Sequence, residues 1–208
     1  MIFQIFVGAT TFLAWASSFL IDFRPQTRPC IQPKSIAFSI WIFIFPLILF
    51  NSFYAGTVKF PNTSSIFIST SMTTIILWSF ASRYKYFPLA FLLLLLVSIQ
   101  AWVAHVLLPS IDDILDVLIH LGTGLFAGWT SVASIINLAI AYKRFDDVRT
   151  LFLVNIVGIL SLYFQRPVPM LAILWGLAFS ETENIYVAAN VILSCAWLLS
   201  SFLLGGSL

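Results

Sequence analysis

The chain has 208 residues, 61% of them hydrophobic and 9% charged, with a formal net charge of +2 and a mean hydropathy of +1.03. A soluble domain holds roughly 45–50% apolar and ~25% charged residues, so this composition excludes one and indicates an integral membrane protein. No block of like charge gives ground for a nucleic-acid partner, and the two cysteines, Cys30 and Cys195, make no disulfide framework.

Apolar runs recur along the whole length and predict eight segments, at 2–21, 36–56, 64–82, 87–108, 114–142, 149–165, 168–180 and 185–204. The first carries Ala14-Trp15-Ala16, which mimics a signal cleavage site. No basic residue precedes Arg24, however, so a retained helix is expected. Pro or charge punctuates the next five boundaries: RPQTRPCIQPK, VKFPN, SRYKYFP, LPSIDDILD and YKRFDDVR. Such short links favour antiparallel neighbours in one all-α, polytopic bundle. The seventh segment, about 13 residues or ~20 Å of helix, falls short of a ~30 Å hydrocarbon core and reads as a short tilted or re-entrant piece.

Lysine and arginine are strongly biased to one side of the predicted bundle. Arg24, Arg28, Lys34, Arg83, Lys85, Lys143, Arg144 and Arg149 fall on one side, against Lys59 and Arg166 on the other. The positive-inside rule then places the 22–35 link in the cytoplasm and the N-terminus outside. Asp112, Asp113 and Asp116 fall on the outer side, where they are expected to solvate a helix start.

Polar side chains within the spans are few: Gln4, Asn51, Gln100, His105, His120, Asn137, Asn155 and Asn190. Each is expected to turn toward the bundle and hydrogen-bond across helices. No convergent metal-ligand set, phosphate loop, nucleophile elbow or carboxylate pair is present, which argues against an enzyme and against a bound metal.

The seven tryptophans and 21 phenylalanines are more informative. Trp129, Ala133 and Asn137 stack at i, i+4 and i+8, with Gly122 and Phe126 on the same stripe, so one helix face presents a ring, a gap and an amide. Gly122 and Ala133 are expected to leave space beside the indole. Phe38, Trp41 and Phe45 line one face of the second segment, behind Pro33 and Ser35. Gly124 and Gly128 form a GxxxG pattern, expected to serve packing within the chain ahead of homodimerisation.

The pattern P-K-S-x-A-F-S-I-W at 33–41, Leu77-Trp78, and G-W-x-S-x-A-S-x-I-N at 128–137 followed by Tyr142-Lys143-Arg144 resembles the tryptophan-rich TspO/MBR (translocator-protein, peripheral benzodiazepine-receptor) family over roughly residues 2–144. The chain departs from it at Pro33-Lys34, where a double proline is common, and at Leu125-Phe126, where Pro-Tyr is common. It also extends beyond the five-helix unit by about three segments.

The resemblance implies a five-helix membrane bundle with a pocket that takes porphyrins, or sterols in some members. On matching positions it implies ligand-binding roles for Phe38, Trp41, Trp78, Trp129, Ala133 and Asn137. Leu138, Tyr142 and Arg144 fit the family's proposed sterol motif, a pattern that interfacial anchoring equally satisfies. The expected function is binding of a planar hydrophobic ligand, porphyrin- or haem-like, for sensing or transport, with no cofactor required. A small-solute carrier and an accessory subunit of a membrane complex are the alternatives.

Overall fold

The computed structural model describes residues 2–18, 35–142, 147–164 and 166–179, together with Cys195, Ala196 and Leu199. Its helices are α1 (Ile2–Ser18), α2 (Trp41–Ser52), α3 (Asn62–Arg83), α4 (Phe87–Val106), α5 (Ile114–Ala141), α6 (Asp147–Tyr163) and α7 (Val168–Ala178), with a 3-10 turn at Ser35–Ile40 leading into α2. These match the first seven sequence segments within a few residues. The eighth, 185–204, lies outside the described residues except for those three positions.

Five helices close a ring in the spatial order α1, α2, α5, α4, α3, each packed on the next, and α6 and α7 lie against the outer face of α5. Short antiparallel links produce this order. The α2–α3 link turns at Gly56, whose φ of 83° suits glycine, and its amide bonds the Phe60 carbonyl at 2.8 Å. Among the described residues, α3, α4 and α5 are each long and apolar enough to cross a membrane. At 11 residues, α7 covers only about 16 Å.

Helix α4 buries its small side chains and turns many of its large ones outward, as expected where lipid replaces water. In α4, Ala90, Ala101 and Ala104 are fully buried while Leu92, Leu96 and Ile99 face outward. Small residues let backbones approach, and leucines lose nothing by facing acyl chains. Many of the serines and threonines are accommodated by bonding back to their own helix. Thr11 donates to the Val7 carbonyl at 2.7 Å and Thr130 to that of Phe126 at 2.8 Å, so neither brings an unpaired hydroxyl into the bundle.

The N-terminus of α5 is built differently. Asp113 accepts the amides of Leu115 and Asp116 at 3.0 Å each, and the Asp116 carboxylate accepts those of Asp112 and Asp113. This is a reciprocal capping box that places negative charge at the positive end of the helix. Lys59 bridges the two carboxylates at 2.7 and 2.9 Å. The expectation that these residues merely solvate a helix start is therefore corrected for Asp113, which caps the helix and pairs with Lys59, and for Asp116, which is buried and bonded.

Candidate aromatic site

The 3-10 turn and α2 deliver Phe38 and Trp41 to the face of α5 that carries Trp129. Phe38 meets Trp129 edge-on, with centroids 5.7 Å apart and planes at 88°. Trp41 does the same at 6.4 Å and 87°, and it stacks on Phe45 at 4.7 Å. Phe126, one turn before Trp129, closes the group at 6.3 Å from Trp41. Edge-to-face contacts of this kind set the positive rim of one ring against the negative face of another.

Of the residues singled out in the sequence, Phe38, Trp41 and Trp129 touch directly. Trp78 joins the same buried core without a ring contact to them among the described residues, and its indole N–H has no acceptor there. Ala133 packs against that core. Asn137 turns back on its own helix, donating to the Ala133 carbonyl at 2.9 Å. At the end of α5, Leu138 is half-buried and the exposed Tyr142 ring lies edge-on to Phe91 of α4 at 6.5 Å. Arg144 lies outside the described residues.

The expected gap at Gly122 is occupied. A Cβ there would stand 2.9 Å from the Asn51 amide nitrogen and 3.0 Å from the Leu47 Cβ, so this glycine admits α2. The same amide nitrogen donates to the Ile119 carbonyl at 3.2 Å, tying α2 to α5.

The wall that sequence reasoning missed comes from α7. Gly176 sets its backbone against Trp129, where a Cβ would lie 3.4 Å from Cζ3. The neighbouring Trp175 donates its indole N–H to the Ala37 carbonyl at 3.0 Å, which holds the turn that carries Phe38. Residues 37 and 175 belong to no common motif, and no periodicity within either helix could have joined them. The Gly124/Gly128 face receives Val168 and Pro169 of α7, which is packing within the chain. Of the polar residues beside Trp129, Ser131 serves α4, bonding Ser98 at 2.7 Å and accepting the Trp102 indole N–H at 3.0 Å, while Thr130 and Ser134 bond carbonyls of their own helix.

Toward the α4–α5 link lies a second, polar cluster. His105 shares a hydrogen bond of 2.9 Å between Nδ1 and the Thr123 hydroxyl, which also lies 2.9 Å from the Ile119 carbonyl. His120 packs at 5.5 Å from His105, ring to ring. It meets the Pro109 carbonyl through Nε2 at 2.9 Å and accepts from Arg166 through Nδ1 at 3.3 Å. Arg166 also reaches the end of α4, donating to the Val106 carbonyl at 3.4 Å and to the Leu108 carbonyl just beyond it at 2.9 Å. No group of three His, Cys, Asp or Glu side chains suited to a metal occurs among the described residues. This cluster fastens the α6–α7 link to the ends of α4 and α5.

The Lys59 bridge carries a pH dependence. Hydrogen bonds to Asp113 and Asp116 raise the Lys59 pKa, and the bond from Lys59 lowers that of Asp113. A raised base stabilises below its ordinary pKa and loses that contribution as pH climbs through the raised value. A lowered acid stabilises above its ordinary pKa and loses it as pH falls through the lowered value. The melting-temperature difference between wild type and Lys59→Met is therefore expected to be flat across neutral pH and to shrink in both strong acid and strong alkali. It should be modest and salt-sensitive, because the pair is partly exposed.

No curated protein and no solved structure matches this chain. A family model described as TSPO-like protein matches residues 5–205, which takes in α6 and α7 as well as the five-helix ring. With that match over nearly the whole length, a ring of apolar helices and a tryptophan cluster between the second and fifth, the chain is a membrane protein that belongs to the TSPO-like family.

Proposed function

We propose that this protein binds a planar hydrophobic ligand of the tetrapyrrole class at the Phe38–Trp41–Trp129 cluster, and acts in sensing or transport without catalysing a reaction. The observation that carries this reading is the convergence of Phe38 and Trp41 on Trp129, both rings standing nearly perpendicular to the indole. Trp129 is only 1% exposed. A ligand therefore reaches its flat face by displacing Phe38, the half-buried ring of the three, while Trp41 stays stacked on Phe45. Flat apolar molecules suit such a site, because ring faces provide area without demanding directional partners.

Titration of the Soret band of protoporphyrin against purified protein in detergent tests the reading. Phe38→Ala is expected to weaken binding about tenfold, roughly 1.4 kcal/mol. Trp102→Phe alters the opposite face of α5 and is expected to leave the affinity unchanged. Equal affinities in wild type and Phe38→Ala would remove the assignment.

A further inference from the structure

The α3–α4 turn combines an apolar cleft with a cation held at a conformational cost. Helix α3 closes with the Tyr86 amide on the Ala81 carbonyl at 2.9 Å and the Lys85 amide on the Ser82 carbonyl at 3.0 Å. This is the paired Schellman closure, whose left-handed position usually belongs to glycine. Here Lys85 occupies it, with φ of 61°, the one non-glycine residue at positive φ among the described residues. A side chain in that conformation is strained, and strained residues persist where something else is gained.

The surroundings indicate what is gained. Leu77 and Phe80 of α3 and Leu89 and Leu93 of α4 line an open cleft of about 380 Å³, with Tyr84 and Tyr86 at the turn. Both tyrosines are more than 60% exposed. Apolar walls, two exposed tyrosines at the rim and a basic residue between them in sequence follow the order of residue types favoured at a bilayer edge. The Lys85 side chain is exposed and makes no hydrogen bond or ion pair among the described residues. The turn also falls on the lysine- and arginine-rich side expected to face the cytoplasm, where anionic lipids concentrate.

We propose that this turn is a binding site for an anionic glycerophospholipid, with an acyl chain in the α3–α4 cleft and the phosphate on Lys85 between the two tyrosine hydroxyls. Helix-end charge compensation is the competing use of Lys85, since a cation also suits a helix C-terminus. Glycine separates the two roles: it relieves the backbone strain and removes the charge.

The test is native mass spectrometry of the full chain released from micelles doped with equal dioleoyl phosphatidylglycerol and dioleoyl phosphatidylcholine, with melting temperatures measured in parallel. Wild type is expected to retain phosphatidylglycerol several-fold over phosphatidylcholine. Lys85→Gly should bring that ratio to about one with an unchanged or raised melting temperature, and Lys85→Arg should keep the preference. Leu93→Trp, which fills the cleft, should reduce retention of the anionic lipid. A wild type without preference, or Lys85→Gly keeping it, would overturn the proposal. So would a melting temperature that falls with Lys85→Gly, which would make Lys85 a helix cap, or full retention by Leu93→Trp. Displacement by glycerol phosphate alone would mean a headgroup site without a chain, and would overturn it as well.

Discussion

Gly128→Ala is expected to detach α7 from the bundle. A Cβ at residue 128 would overlap the Pro169 carbonyl oxygen and stand 2.8 Å from its carbonyl carbon, and both are backbone atoms that no rotamer change can move. Alanine gains up to about 1 kcal/mol in helix propensity over glycine. Overpacking a close-packed contact typically costs about 1–3 kcal/mol and sometimes more, and a contact this short lies at the upper end. The balance is destabilising.

Gly176→Ala provides the internal comparison, because its Cβ would meet Trp129 and Val132 at 3.4 Å, close but not overlapping. Thermal unfolding in detergent should show a clear drop for Gly128→Ala and little change for Gly176→Ala. Hydrogen exchange should show the loss concentrated in α7 and in the 35–40 turn held by Trp175. If both variants melt like wild type, α7 does not pack where it is described.

The second large effect is at Trp129, which unites the stability and ligand arguments. Truncating a buried aromatic ring to alanine costs about 3–5 kcal/mol, so Trp129→Ala is expected to unfold at markedly lower temperature whatever the ligand does. Trp129→Phe keeps a ring against Phe38 and Trp41 while removing the larger indole surface. It should fold, and its porphyrin affinity should fall by tenfold or more, beyond the effect of Phe38→Ala. A Soret titration of Trp129→Phe indistinguishable from wild type, in a variant that melts normally, would leave the cluster as packing alone. Family membership describes the fold; the ligand has to be argued from these rings.

Parts of this site were legible in the chain alone. The stripe of Trp129, Ala133 and Asn137 was readable from helical spacing, and Phe38 with Trp41 from theirs. Their meeting is consistent with α2 and α5 packing side by side. The gap beside Gly122 was misjudged for a specific reason. A glycine signals that something comes close, but only the neighbouring helix shows whether that something is a ligand or, as here, Leu47 and Asn51. The same ambiguity attached to Gly124 and Gly128, whose visitor is the proline-led start of α7.

His105, His120 and Arg166 were individually visible as costly residues. Their assembly was not, because Arg166 lies 46 positions from His120. Lys59 likewise counted as a minority cation, and its capture by Asp113 and Asp116 depends on two links folding to the same end of the bundle.

By itself the sequence determined that this protein lives in a membrane as a bundle of helices, and roughly where each of the seven described helices lies. Those properties follow from hydrophobicity and hydrogen bonding summed over local stretches of about 20 residues, in which the backbone must satisfy itself. Only the tertiary structure decided which faces meet. It closed α2 onto α5 to assemble the aromatic cluster, and it placed the short α7 as that cluster's outer wall. Side-chain contact is set by shape at close range between residues far apart in the chain, which no local pattern encodes.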